Sequence, residues 1–195
     1  MNNKIEIRTA LELVPLEDKG KHIIQGKAIV YNQPEILYVD RFGTEYREMI
    51  LDSALNNVDF SDVPLKYNHS QEKAKILARA RQRTLILENR SDGLYFTAEL
   101  NTNLGEDIYN SIKAGDIVGC SFGFICEEDE FDNSTNTRII KNISKLTDVS
   151  VVDDPAYKQT YVEARSKDYF IDIENKKVEQ YNKYERDKLA LLTLL

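Results

Sequence analysis

Three side chains in this sequence have types and settings suited to acyl transfer. Ser121 lies in "GCSFG", which fits the nucleophile pattern G-x-S-x-G. His69 closes "VPLKYNHS", and Asp148 lies in "KLTDVSVV". A serine hydroxyl needs a base at neutral pH, usually an imidazole. The chain has two histidines, His22 and His69, and both precede Ser121. That order excludes the α/β-hydrolase elbow, where the histidine follows the serine and the motif opens a helix. Here "FGFIC" continues as a strand. Strand alternation puts Ile117, Gly119, Ser121, Gly123 and Ile125 on one face and Val118, Cys120, Phe122, Phe124 and Cys126 on the other, core-like face. Two readings of the glycines flanking Ser121 stay open: a cleared patch for an extended peptide, or a bulge or bend in the strand. His69 shares parity with Val63, Leu65 and Tyr67, so its imidazole is expected at a strand end, in reach of a neighbouring strand. His22, mid-strand among lysines, reads as a surface residue. Asp148 is an acid inside a β-forming run, on one face with Leu146, Ser150 and Val152; it is either the group that orients an imidazole or an edge-strand charge. Asp153 and Asp154 are weaker candidates, because "DDP" reads as a turn.

The elements that position these residues are mostly strands. "IEIRTAL", "KHIIQGKAIVY", "EYREMI" and "VPLKYNHS" read as strands, and Asp52 caps an expected short helix in "LDSALNNV". Asp92-Gly93 signals a hairpin within "KILARARQRTLILENRSDGLYFTAEL". "NTNLGEDIYNSIKAGD" reads as a helix, with Leu104, Ile108 and Ile112 at four-residue spacing and Gly115 as its stop. "IVGCSFGFIC", "TRIIKNIS" and "KLTDVSVV" are three further strands, the first two separated by the acidic turn "EEDEFDNSTN". "DDPAY" reads as a loop and "TYVEARS" as a last strand. The expected fold is mainly β with peripheral helices (α+β), a closed or strongly bent β-barrel. Residues 1–166 are expected to form the catalytic domain and residues 167–195, charged and free of proline and glycine, a terminal helical tail.

Composition narrows the function. The 195 residues suffice for one domain with a sizeable core. Acids outnumber bases 33 to 26, a net charge of -7, which argues against a nucleic-acid surface. The charged N-terminus reads as neither a signal peptide nor a membrane span. Cys120 and Cys126 are too few for a disulfide framework or a zinc site and read as small buried apolar residues. A cysteine hydrolase using Cys120 is disfavoured by its parity, opposite Ser121.

On these residues the chain resembles the prohead (procapsid) maturation serine proteases of tailed bacteriophages, which share a fold with the herpesvirus assembly proteases. The marks span Gly26 to Arg165: "GKAIVYN", "PLKYNHS", "DGLYFTAEL", "IYNSIKAGDIVGCSFGF", "KLTDVSVVDDPAY" and "VEARS". The resemblance implies a serine endopeptidase with His69 as base, Ser121 as nucleophile and Asp148 as third member, where the family often has glutamate. It implies an oxyanion hole in "VDDPAY" and no metal or cofactor. Implied substrates are the scaffolding protein or the scaffolding segment of the major capsid protein, and the protease itself, with action inside the assembling prohead in the host cytoplasm. Self-association, through the apolar "KLALLTLL" or otherwise, and absence of nucleic-acid and membrane partners belong to the same expectation. A catalytically inactive assembly module of the same fold is the alternative.

Overall fold

The computed structural model describes residues 4–10, 12–18, 20–153 and 163–192. Eleven strands and two α-helices follow in chain order: β1 (Ile5–Ala10), β2 (Glu12–Asp18), β3 (Lys21–Val30), β4 (Glu35–Val39), β5 (Glu45–Ile50), β6 (Pro64–Tyr67), β7 (Ile76–Arg79), β8 (Leu85–Arg90), β9 (Gly93–Glu99), α1 (Asn103–Ala114), β10 (Gly119–Asp132), β11 (Thr137–Val152) and α2 (Glu163–Leu192). The mainly β, α+β class expected from the alternating runs is the class observed.

The barrel is not. Among the described residues the strands form two separate sheets, one of seven strands in the order β1-β10-β11-β5-β4 with β6 and β7 attached through β11, and one of four in the order β2-β3-β9-β8. The physical reason is β11. Its first residues pair in parallel with β5 and its last residues in parallel with β6, while β10 runs antiparallel along its other side. A strand that changes partner along its length splits one margin of the sheet into two branches, and no ladder joins these to the second sheet. The sheets instead bury their apolar faces against each other. Ile24, Ala28, Leu94, Phe96 and Ala98 of the small sheet share one core with Leu65, Cys120, Phe122, Phe124, Val149 and Val151 of the large one. That face of β10 is the one alternation predicts, although Val118 before the strand is exposed.

Local chemistry explains the elements and the departures. α1 starts where Thr102 Oγ1 accepts the Gly105 N–H at 3.0 Å and ends at Gly115, whose φ of 85° suits a residue without Cβ. It buries Ile108, Tyr109 and Ile112. The hairpin at β8–β9 turns on Ser91-Asp92, one residue before the expected pair, and Gly93 opens β9; a Cβ there would lie 2.1 Å from the Ile29 carbonyl oxygen. The helix expected at "LDSALNNV" is a run of turns instead, closed by three-residue bonds such as Ala54 N–H to Leu51 O and Val58 N–H to Leu55 O. "TRIIKNIS" and "KLTDVSVV" form a single strand, and the acidic stretch before them is mostly β10, with the reversal confined to 133–136. The last strand expected at "TYVEARS" is not formed where it is described: Glu163–Ser166 already belong to α2. The "DDPAY" segment lies outside the described residues from residue 154 on.

The first turns of α2 dock on the large sheet. Phe170 is fully buried against Tyr38, Tyr46 and Phe131, Glu174 accepts the Tyr38 hydroxyl, and Lys177 Nζ donates to Asn136. Further along, Tyr181 and Tyr184 are exposed.

Candidate active site

Three elements meet at the C-terminal end of β11. β10 carries Ser121, whose partner across the ladder is Ser150 of β11. β11 carries Asp148 and Ser150 on one face, as alternation predicts. β6 pairs with Val149–Val151 and delivers the chain to Asn68 and His69. Both of these have φ near 50°, in the left-handed region that asparagine tolerates and histidine enters less often. The reversed backbone breaks the parity of β6 and swings the imidazole over β11. Two backbone bonds hold the turn: Asn68 N–H to Val151 O at 2.9 Å and Ser70 N–H to Tyr67 O at 3.1 Å.

The result is a continuous polar chain. His69 Nε2 lies 2.7 Å from Ser121 Oγ, and His69 Nδ1 lies 2.5 Å from Asp148 Oδ2. Ser150 is buried and touches both partners: its hydroxyl donates to Asp148 Oδ2 at 2.9 Å and accepts the His69 backbone N–H at 3.2 Å. Lys66 Nζ donates to the other oxygen, Asp148 Oδ1, at 3.4 Å. Burial by itself pushes the Asp148 carboxyl up. The hydrogen bond and charge of His69, the charge of Lys66 and the Ser150 hydroxyl outweigh it and hold the group below the usual carboxylate range. An ionised carboxylate on Nδ1 fixes the imidazole so that Nε2 faces Ser121 and stabilises the imidazolium that proton transfer creates.

The glycine question now has a geometric answer at Gly123. A Cβ there would sit 2.5 Å from Thr147 Oγ1 and 3.1 Å from Asp148 Oδ1. The β10–β11 register also shifts between Gly123 and Phe124. The missing side chain makes room for the carboxylate at a bulge. The Ser121 face is not an open patch: Ser121 is 1% exposed, and its Oγ also donates to the backbone oxygen of Arg8 in β1 at 2.7 Å.

The other sequence candidates lie elsewhere. His22 sits in β3 of the small sheet, half-buried, with its ring 4.9 Å from that of Tyr109, not on an open surface. Asp153 accepts the Tyr67 hydroxyl at 2.8 Å at the rim of the site, and residue 154 lies outside the described residues, as does most of "VDDPAY". Cys120 is fully buried in the core, its thiol 3.6 Å from the Lys27 carbonyl, and burial raises the Cys126 thiol to about 12. Neither is placed to act as a thiolate nucleophile. Sequence reasoning did not single out Lys66, Arg8 or Ser150's bridging role. Ser150 was visible as a same-face neighbour of Asp148; Lys66 and Arg8 had no local signal.

Among the described residues no group of three or more His, Cys, Asp and Glu side chains is placed to hold a metal ion, and no helix is long and apolar enough to cross a membrane.

The family model described as caudovirus prohead serine protease matches residues 9–175. Among solved structures, the capsid assembly protease gp21 of bacteriophage T4 superposes over 77% of this chain and 99% of its own, with 13% identity and a TM-score of 0.46. No curated protein matches in sequence.

Proposed function

From the premise that this chain belongs to the caudovirus prohead serine protease family, we propose that it is an endopeptidase in which Ser121 is the nucleophile, His69 the general base and Asp148 the acid that orients it. The observation that supports the assignment is the unbroken contact chain from Ser121 Oγ through both ring nitrogens of His69 to Asp148 Oδ2, with distances of 2.7 and 2.5 Å. These are hydrogen-bonding distances for a base that takes a proton in the transition state.

In the first half-reaction Oγ forms a bond to the scissile carbonyl carbon as its proton passes to Nε2. The carbonyl π electrons move to oxygen, and the Nδ1 proton stays on the ring, donated in a hydrogen bond to the Asp148 carboxylate. Collapse of the tetrahedral intermediate breaks the C–N bond, and the imidazolium gives its proton to the leaving amine. Water then repeats the sequence on the acyl-enzyme: Nε2 takes its proton, the hydroxide adds, and Ser121 leaves with the proton returned. The oxyanion requires backbone N–H donors; the segment after Asp148, "VDDPAY", is the stretch we assign to it.

Family membership supports, as part of the same proposal, these substrates: the scaffolding protein or the scaffolding segment of the major capsid protein, and the chain itself, cut inside the assembling prohead in the host cytoplasm. Self-association, no nucleic-acid or membrane partner, kinship of fold with the herpesvirus assembly proteases, and a division into a catalytic unit of residues 1–166 and a helical tail of 167–195 belong to the same proposal. The test is intact-mass analysis of the chain and of Ser121→Ala and Cys120→Ala, each alone and with the cognate capsid protein. Processing is expected in the parent chain and in Cys120→Ala and lost in Ser121→Ala. Processing that survives Ser121→Ala sinks the proposal.

A further inference from the structure

Asp148 has more partners than the orientation of one imidazole requires. The residue is 4% exposed, and its carboxylate meets four hydrogen-bonding groups. Oδ2 takes the His69 ring at 2.5 Å and the Ser150 hydroxyl at 2.9 Å. Oδ1 takes the Thr147 hydroxyl at 3.2 Å and Lys66 Nζ at 3.4 Å. One oxygen serves the base, and the other faces a cation.

The ladder puts Lys66 in that place. β6 pairs with β11 in parallel, Leu65 opposite Val149, Lys66 opposite Ser150 and Tyr67 opposite Val151. Residues opposite each other on paired strands share a face. Leu65, Val149 and Val151 belong to the core, so Lys66 rises on the other face with Asp148 and Ser150. Its side chain is 14% exposed, and Asp148 is its ion-pair partner among the described residues. A lysine so well covered needs a counter-charge. On the neighbouring elements, Asp153 accepts the Tyr67 hydroxyl, Glu72 pairs with Lys75 in the stretch after His69, and the Arg8 guanidinium of β1 bonds Glu48 and Glu6.

A buried carboxylate favours a positive neighbour. Were His69 the one group able to become that neighbour, the resting site would draw a proton onto the ring. An imidazole protonated on both nitrogens has no lone pair on Nε2 to take the serine proton. Lys66 supplies the positive charge at rest. Burial pushes the Asp148 carboxyl up, and the His69 contact together with the Lys66 charge outweighs it. The carboxylate is thus ionised beside a ring that need not be. The imidazolium forms as Oγ attacks, with Asp148 Oδ2 against Nδ1 and Lys66 on the far oxygen.

We propose that Lys66 is a positioning residue that acts through Asp148: it is the resting counter-ion that leaves His69 unprotonated and sets the acid edge of the pH range in which Ser121 reacts. A positive charge beside the His69–Asp148 pair disfavours a proton on either member. Its removal therefore moves the acid edge to higher pH, whichever of the two takes the proton. The inference rests on the reading of Ser121 as nucleophile, and the test separates the two.

Two quantities are measured on the full chain from about pH 5 to about pH 9. The first is the rate at which a fluorophosphonate labels Ser121, forming an Oγ–P bond with loss of fluoride while the hydroxyl proton passes to Nε2, with Ser121→Ala as the blank. The second is proton uptake by the pair, read at the His69 ring by NMR in a Ser121→Ala chain; the His22 signal is identified by its loss in His22→Gln. Lys66→Gln keeps a donor and loses the charge. In it, the acid edge of labelling and the uptake at the ring are both expected to move up by about half to one pH unit. Labelling on the acid limb then falls about three- to tenfold, while the plateau at high pH stays within about twofold. Lys66→Arg, which keeps the charge, is expected to leave the edge in place. A lowered plateau with an unmoved edge overturns the proposal and makes Lys66 a support of the fold alone. If the folded parent chain shows no Ser121-dependent label, the nucleophile falls; a Lys66→Gln shift in proton uptake would then leave the counter-ion role standing by itself. Should Lys66→Gln not fold, Lys66→Met carries the same expectation, and an unmoved edge there overturns the proposal.

Discussion

Ser150 does more at this site than its size suggests, because one hydroxyl fixes both the Asp148 carboxylate and the backbone of His69. Its proton goes to Asp148 Oδ2, and its oxygen takes the His69 N–H that the left-handed turn would otherwise leave unpaired. Ser150→Ala removes both bonds in a buried place, at a cost of about 1–3 kcal/mol for the polar groups left unsatisfied. The hydroxyl is not adjacent to substrate, so kcat is expected to fall about 10- to 100-fold with KM unchanged, and Ser150→Thr, which keeps the hydroxyl, is expected to recover part of it. A rise in KM at constant kcat would contradict this positioning role. Asp148→Asn removes the charge and keeps the shape; kcat is expected to fall by about 10⁴, as loss of the orienting acid does in serine proteases generally. The residue scale was the most legible in the sequence. The count and order of histidines discarded the hydrolase elbow, and strand parity put Asp148 and Ser150 on one face. Parity failed at His69, because two consecutive positive φ values reverse the backbone there. Lys66 went unnoticed for the same reason: alternation places it on the face opposite His69, yet both touch Asp148.

At the scale of elements, the question is how β10 and β11 hold a buried carboxylate beside a serine two residues away from a bulge. Gly123 is the device, since any side chain there meets Thr147 and Asp148. Gly123→Ala is expected to displace the carboxylate and lower kcat at least tenfold while the chain still folds. Adding Thr147→Ala removes the nearer of the two obstructions and is expected to restore part of the loss, giving a coupling between the two sites measurable in a double-mutant cycle. Strictly additive effects would mean that the glycine serves some other purpose. Strand existence was legible from alternation, and α1 from its spacing and its glycine stop. Strand continuity was not: β11 runs 16 residues through the boundary between "TRIIKNIS" and "KLTDVSVV", where the polar Ser144 and Lys145 are tolerated because they meet solvent. The helix expected at "LDSALNNV" failed because so short a segment gains too few bonds to nucleate, and burial of Ala54, Leu55 and Val58 is met equally well by turns.

Across the whole molecule, the feature that composition hid is a buried charge cluster spanning the large sheet. Glu6 and Arg8 of β1, Asp129 of β10, Arg138 of β11 and Glu48 of β5 come together from four strands, and Tyr169 of α2 closes over Arg138. No window of sequence contains this pattern, because its members are brought together only by the strand order, and strand order was the part of the fold that local signals could not specify. The cluster ties β1 to global stability and to pH. For Glu6, burial pushes the carboxyl up, but the hydrogen bond to Arg138 and the charges of Arg8 and Arg138 outweigh it and lower it from the ordinary 4.5; Asp148 is likewise held below 3.8. Groups depressed in the folded state add stability above their unfolded values, and that stability is lost as pH falls through the folded values. Tm is therefore expected to hold from pH 7 to about 5 and to fall steeply below about 4. Glu48→Gln takes the carboxylate from both arginines while leaving the shape. Breaking a buried pair from one side costs about 3–5 kcal/mol, a drop of roughly 10 °C in Tm for a chain of this size. The charge-assisted bonds that hold Arg8 of β1 weaken in the same stroke, so the β1 amide protons are expected to exchange faster in Glu48→Gln than in the parent chain at a temperature where both are folded. Asp62→Asn, which breaks a surface pair with Arg79 remote from the cluster, is expected to change neither quantity beyond the small worth of an exposed ion pair. A Glu48→Gln chain that loses stability while its β1 amides exchange at the parent rate would mean that the cluster supports the sheet without anchoring β1.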